Sequence, residues 1–320
     1  MQLNLTQQRH RWWLVSIAAL VACAIAMALS LAQFNAPLRP GLEFVGGTRL
    51  QLTRACATEG SCEEPIEVGR VRQIAQAQGL GNSRIQVVGE RQQTLSIRTQ
   101  ALGVEQRSQL RAALRQALGR FDPQTIQIDT IGPTIGREIL TSGLLALVVA
   151  AFGIIGYISL RFQLDYALVA ILALFHDVFL TSGLFSVLGL TAGVEVNSLF
   201  LVALLTIIGF SVNDTVVIYD RIRETRRRRP SDGFEAIANE SVNRSLTRSI
   251  NTTATSVLPL LAIYLFGGET LTNFALALIV GFILGAYSSI FVASTLLAWW
   301  RARQESAQAA MPSAQPSDKA

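Results

Sequence analysis

Six runs of about twenty or more residues, nearly free of charge, recur along this 320-residue sequence, and they constrain it more than any other feature. A helix needs about 20 apolar residues to cross the hydrocarbon core of a bilayer. Hydrocarbon offers no partners to backbone N–H and C=O groups, so such runs span as helices rather than as open strands. Spans are expected at 12–34, 139–160, 165–189, 197–219, 249–267 and 270–298. Half of the residues are hydrophobic and 15% are charged, against about 25% charged in a soluble globule. The class is therefore a polytopic α-helical membrane protein with six transmembrane helices. In the first span, Ala28-Leu29-Ser30 has the small residues of a signal-cleavage site. Its apolar region exceeds the roughly 7–15 residues of a signal core, so it reads as a retained anchor.

Between the first two spans, residues 35–137 form a separate soluble domain. Thr48–Leu52 alternates like a strand, whereas Val68, Val71, Ile74 and Ala75 recur at helical spacing. Two more alternating runs, Ile85/Val87 and Leu95/Ile97, flank Gly89-Glu90, a hairpin signal. A helical pattern through Leu110, Leu114, Ala117 and Leu118 then precedes the strand at Ile126/Ile128. The order β-α-β-β-α-β is that of a small α+β ferredoxin-like domain. Cys56 and Cys62 lie close together here, while Cys23 sits in the first span. An oxidising compartment would favour a Cys56–Cys62 disulfide; elsewhere the two are free thiols in a surface loop. The domain has no histidine and its carboxylates are scattered, so neither a metal site, a cofactor nor a catalytic constellation is expected.

Basic residues mark one side of the membrane. Arg9 and Arg11, Arg161, the cluster Arg221, Arg223 and Arg226 to Arg229, and Arg301 with Arg303 all fall on the same side of the spans. The connections near 190–196 and 267–270 carry no Lys or Arg. By the positive-inside rule the basic side is cytoplasmic. The N-terminus (1–11), a basic loop (220–248) and a disordered tail (301–320) then face the cytoplasm, and the 35–137 domain faces the periplasm of a Gram-negative cell. The net charge of +5 is explained by these flanks, and nucleic acid is not an expected partner. The Arg226–Arg229 run reads first as a topology marker; contact with anionic membrane lipids, ribosome or translocase is the alternative. After it, Asp232 can cap an interfacial helix containing Phe234, Ile237 and Ala238.

Few uncompensated ionisable residues fall inside the spans: His176 and Asp177 in the third, Asp214 beside Asn213 in the fourth, and Arg248 at the start of the fifth. An Asp near the bilayer centre costs about 2.5–3.5 kcal/mol, so each needs a partner or a proton-exchanging role. Asp214 lies about 9 Å below the charged boundary at Asp220. Arg248 shares a helical stripe with Thr252, Thr255 or Ser256, and Pro259, which suggests an inward face and an Asp214–Arg248 pair. That pair is either a static packing device or a switch thrown by protonation. His176-Asp177 is likewise either a proton relay or a packing pair.

The sixteen residues from Gly209 to Glu224, with Asn213-Asp214-Thr215 at their centre and Tyr219-Asp220-Arg221 near their end, resemble the signature of the SecF members of the SecD/SecF family, which belongs to the RND superfamily. Further elements carry the resemblance: Phe44, Gly46 and Gly47; Ile131–Glu138; His176-Asp177; Ser245-Leu246-Thr247-Arg248-Ser249; Tyr264–Gly268; and Gly281–Phe291, in which Gly281 and Gly285 form a close-packing surface. Arg244 stands where the family usually has an uncharged polar residue, so both Arg244 and Arg248 are candidates to meet Asp214.

The resemblance implies a proton-motive-force-dependent accessory subunit of the Sec translocase in the bacterial inner membrane. Its partners would be SecD, SecYEG, YajC or YidC, and the translocating preprotein. Six spans would form half of a pseudo-symmetric twelve-span unit. An RND-type proton-coupled transporter of small molecules or lipids is the alternative. Enzyme activity is not expected, since Ser211 and His176 would have to meet as nucleophile and base.

Overall fold

The computed structural model describes residues 4–59, 62, 64–88 and 92–309. It divides into two compact units, one of Pro40–Gly143 and one of Met1–Arg39 with Leu144–Ala320. The first long helix, α1 (Arg9–Phe34), belongs to the larger unit.

The smaller unit opens with a single turn, α2 (Leu42–Val45), followed by β1 (Gly47–Thr53) and a short α3 (Ala55–Glu59). Next come α4 (Val68–Ala77), β2 (Arg84–Val88), β3 (Thr94–Thr99), α5 (Val104–Leu118) and β4 (Gln127–Ile131). The four strands lie in the order β2-β3-β1-β4, and every neighbouring pair is antiparallel. Because strand side chains alternate between faces, Leu50 and Leu52 of β1 and Leu95 and Ile97 of β3 all project into one core and are fully buried. Val71 and Ala75 of α4 and Leu110 and Leu114 of α5, each pair four residues apart, close that core.

Gly46 and Gly47 lead into β1 with φ of 77° and 127°. A Cβ on Gly46 would stand 2.9 Å from Pro133 Cα, and one on Gly47 would strike the carbonyl of Thr99. Both positions therefore demand glycine on backbone angle and on space. Phe44 is buried just before them. Cys56 and Cys62 are joined as a disulfide, with Cα atoms 4.9 Å apart. The expected hairpin tip at Gly89-Glu90 lies outside the described residues.

The remaining helices are α6 (Pro133–Arg161), α7 (Leu164–Thr191), α8 (Ser198–Arg228), α9 (Phe234–Phe266) and α10 (Glu269–Tyr287), which passes through a π-helical segment at Ser288–Ala293 into α11 (Ser294–Ala309). Among the described residues six helical runs are long and apolar enough to cross a membrane. Helix α7, helix α8 and the run from α10 into α11 are the most enclosed, whereas α6 is largely exposed and buries Ile158 near its end. Glycines set the closest approaches: a Cβ on Gly281 would run into the Ile207 side chain, and one on Gly285 would lie 3.2 Å from Ser211. In the same way Gly183 of α7 faces Cys23 of α1.

Three expectations about the helix ends need correction. Instead of a long basic loop at 220–248, α8 runs on to Arg228 and α9 begins at Phe234 as one continuous helix. No side chain caps α9, whose N-cap is Gly233, so Asp232 does not play that part. Arginine and glutamate are good helix formers; a burst of charge marks where the hydrocarbon ends, not where the helix does. The tail expected to be disordered from 301 is helical through Ala309, and 310–320 lie outside the described residues.

Candidate functional site

Asp177 is fully buried on the middle of α7, where α8 and the π-helical segment meet it. Its Oδ2 accepts hydrogen bonds from the hydroxyls of Ser211 on α8 and Ser288 on the π-helical segment, both at 2.6 Å. Its Oδ1 lies 3.0 Å from Nδ1 of His176. Both contacts lie at the short end of O–H···O distances. The neighbouring hydroxyls continue the network: Ser289 and Thr215 lie 2.7 Å apart, and Thr215 donates to the Ser211 carbonyl at 3.1 Å.

The π-helical segment explains why Ser288 and Ser289 both face inward, each completely buried. A π-turn inserts an extra residue into the helical repeat. Consecutive serines here serve two neighbours, Asp177 of α7 and Thr215 of α8.

Asp214 lies on α8, about one helical turn from Ser211. Its Oδ1 accepts a 2.7 Å hydrogen bond from Ser249 of α9. Its Oδ2 is buried and has no hydrogen-bond partner among the described residues. Neither candidate arginine forms an ion pair with it among those residues. Arg244 pairs with Glu240, one turn away on its own helix, at 2.7 Å, and Arg248 acts on Asp214 only electrostatically, from beyond 4.0 Å.

The correction is one of helical phase. The buried stripe of α9 is Ser241, Ser245 and Ser249, at intervals of four, and Arg244 and Arg248 fall one residue earlier on the exposed side. One residue is about 100° of rotation, which moves a side chain from facing α8 to facing outward. Of the polar residues grouped with Arg248, Thr252 and Ser256 are half-buried, whereas Thr255 and Pro259 are exposed with it. Asn213, beside Asp214, is also exposed.

Sequence reasoning singled out both carboxylates and His176. In the sequence Ser249 and Ser288 are letters within longer motifs, Thr215 adjoins Asp214, and Ser211 enters only as a nucleophile that would need His176. The four-residue repeat of small hydroxyls at 241, 245 and 249 was the available signal for the inward face of α9. Nothing in the sequence announces a π-turn. Among the described residues no group of three or more His, Cys, Asp or Glu is placed to hold a metal ion.

Carboxylates held by hydroxyls from several helices, inside a bundle of membrane-length helices with a small antiparallel-sheet unit, define a polytopic membrane protein with ionisable groups enclosed in its core. Residues 111–303 match the family model for the C-terminal part of the protein export membrane proteins SecD/SecF. The chain belongs to that SecD/SecF family. It is 56% identical to the protein translocase subunit SecF of Synechocystis sp. over 94% of this chain and 95% of that protein. With SecF of Prochlorococcus marinus it shares 38% identity over 92% of this chain and 94% of the relative. The crystal structure of SecDF from Thermus thermophilus, a translocon-associated membrane protein, superposes with a TM-score of 0.77 at 29% identity over 94% of this chain. This chain spans 39% of that longer one.

Proposed function

We propose that this chain is an accessory subunit of the Sec translocase that assists preprotein export across the inner membrane, works with SecD, and draws on the proton-motive force through Asp214. The observation that carries the reading is the uneven environment of that side chain: one oxygen is held by Ser249, and the other is buried without a hydrogen bond. An ionised carboxylate in this position is stabilised by one hydroxyl and by the field of Arg248. Adding a proton removes the buried charge and with it the attraction between α8 and α9. The two protonation states thus favour two packings of the same helices, which is what a switch requires. One charge moved through 100 mV supplies about 2.3 kcal/mol, enough to bias such an equilibrium.

Asp177, held by α8 and the π-helical segment, is assigned the second role, linking movement of α8 to the rest of the bundle, with His176 as its proton-accepting neighbour. Arg248 lies on the exposed side of α9; a twelve-span assembly with the matching membrane half of SecD is part of this reading. SecYEG, YajC or YidC, and the preprotein itself are the further partners of this reading.

The strand order and the helix placement of the small unit suit a ferredoxin-like domain. Its disulfide suits an oxidising compartment, and the arginine-rich helix ends suit a cytoplasmic face. The unit is therefore assigned to the periplasm and both termini to the cytoplasm. The test is Asp214→Asn, scored as export of a secreted reporter into membrane vesicles with and without an imposed proton-motive force. The expected outcome is loss of the stimulated fraction with basal export retained. Stimulation equal to wild type would reduce Asp214 to a packing residue.

A further inference from the structure

Between the charged ends of α7, α8, α9 and α11 lies a pocket of about 340 Å³ that the switch does not use. Four guanidinium groups line it, those of Arg223, Arg226, Arg227 and Arg301, together with a single carboxylate, Glu305. Their partners account for most of this charge but not all. Arg301 is paired with Asp165, and Arg226 with Glu305 at 2.8 Å. Arg223 lies 3.8 Å from Asp220, whose carboxylate is held more closely by Arg161 at 2.9 Å. Arg227 has no hydrogen bond or ion pair with any described residue. The pocket thus carries an excess of positive charge.

We propose that this pocket binds a phosphate group, with Arg227 as the arginine that the ligand completes. The guanidinium fork matches phosphate oxygens in pairs, as a point-charge ammonium does not. The pocket's floor is the buried rings of Tyr166 and Phe234 capped by Arg301, which leaves the exposed Arg227 as the guanidinium open to a ligand. It sits where the apolar stretches of four helices give way to charge, the depth at which lipid headgroups lie. The shared chemistry is therefore a phosphate monoester or diester, from an anionic lipid headgroup or from a free phosphate compound.

The test titrates full-length protein in neutral detergent with short-chain phosphatidylglycerol and, separately, with inorganic phosphate, for wild type, Arg227→Gln and Arg228→Gln. Arg227 makes no intramolecular contact that folding depends on, and gel filtration checks that the variant remains monodisperse. Arg228 is its neighbour, equally charged but outside the pocket and paired with Glu224. Saturable binding that weakens about tenfold in Arg227→Gln, the loss of one charge-assisted contact, and stays within twofold in Arg228→Gln supports the site. Saturation by phosphatidylglycerol alone assigns it to a lipid headgroup, and saturation by inorganic phosphate assigns it to a free phosphate. Equal weakening by both substitutions, or no saturation with either probe, overturns it.

Discussion

Replacing Asp177 tests whether the buried network is built as the geometry describes. In Asp177→Ala, Ser288 can turn to the Gly285 carbonyl, already 3.1 Å away. The Ser211 hydroxyl donates no second hydrogen bond among the described residues. A stranded buried donor costs about 1–3 kcal/mol, whereas a hydrogen bond to a charged group contributes about 1.5–3 kcal/mol. Ser211→Ala should therefore destabilise the wild-type bundle by about 1.5–3 kcal/mol. In the Asp177→Ala background the same change removes an orphaned hydroxyl and should be neutral or stabilising. The cycle predicts a coupling energy of about 2 kcal/mol or more, measured as unfolding free energies in mixed micelles. Because the coupling is a difference of differences, it is insulated from the desolvation of the carboxylate, which the single Asp177→Ala variant also removes. Additivity within about 0.5 kcal/mol would refute the Ser211–Asp177 bond, and with it the claim that α7 and α8 are tied at this point.

Three further outcomes follow from particular contacts. Ser249→Ala, which removes the hydrogen bond to Asp214, should lower unfolding free energy by about 1.5–3 kcal/mol, and by more than Arg248→Gln does; the reverse ranking would restore the arginine as the structural partner. Gly281→Leu should lower the thermal midpoint in detergent through overpacking against Ile207, at a cost of about 1–3 kcal/mol, whereas Gly209→Ala, which meets nothing within 4 Å, should not. Cys56→Ser should destabilise the small unit by about 2 kcal/mol through loss of a short closed loop, read as faster amide exchange at Leu50 and Leu52.

Much of the site was legible because charge inside a span is expensive. Asp177, Asp214 and His176 stand out from apolar surroundings whatever the tertiary contacts are, since nothing in hydrocarbon tolerates them idly. Arg248 stood out on the same grounds, yet it sits near the end of the apolar stretch, in a helix that begins at Phe234. There a long side chain can keep its charge outside the bundle. A stripe that starts from Arg248 and runs through Thr252 lies one residue away from the buried stripe of Ser241, Ser245 and Ser249. Serine escaped notice because it is ordinary in both water and membrane helices, and acquires meaning only from the acceptor opposite it. The sheet unit was readable in its alternating pattern, where Leu50, Leu52, Leu95 and Ile97 share a face by the two-residue period alone.

Local chemistry by itself determined that the chain is a polytopic helical membrane protein with six helices of membrane length, that one small unit folds apart from them, and that a few carboxylates sit where charge is costly. These follow from runs of neighbouring residues: hydrocarbon thickness sets helix length, and side-chain period sets the buried face. Only the tertiary structure decided which donor each carboxylate meets, that α8 and α9 continue as helices into the charged region, and that a π-turn brings Ser288 to Asp177. Those outcomes depend on the rotation and depth of one helix against another, which close contacts such as Gly285 against Ser211 settle, and no single helix encodes the surface of the neighbour it will meet.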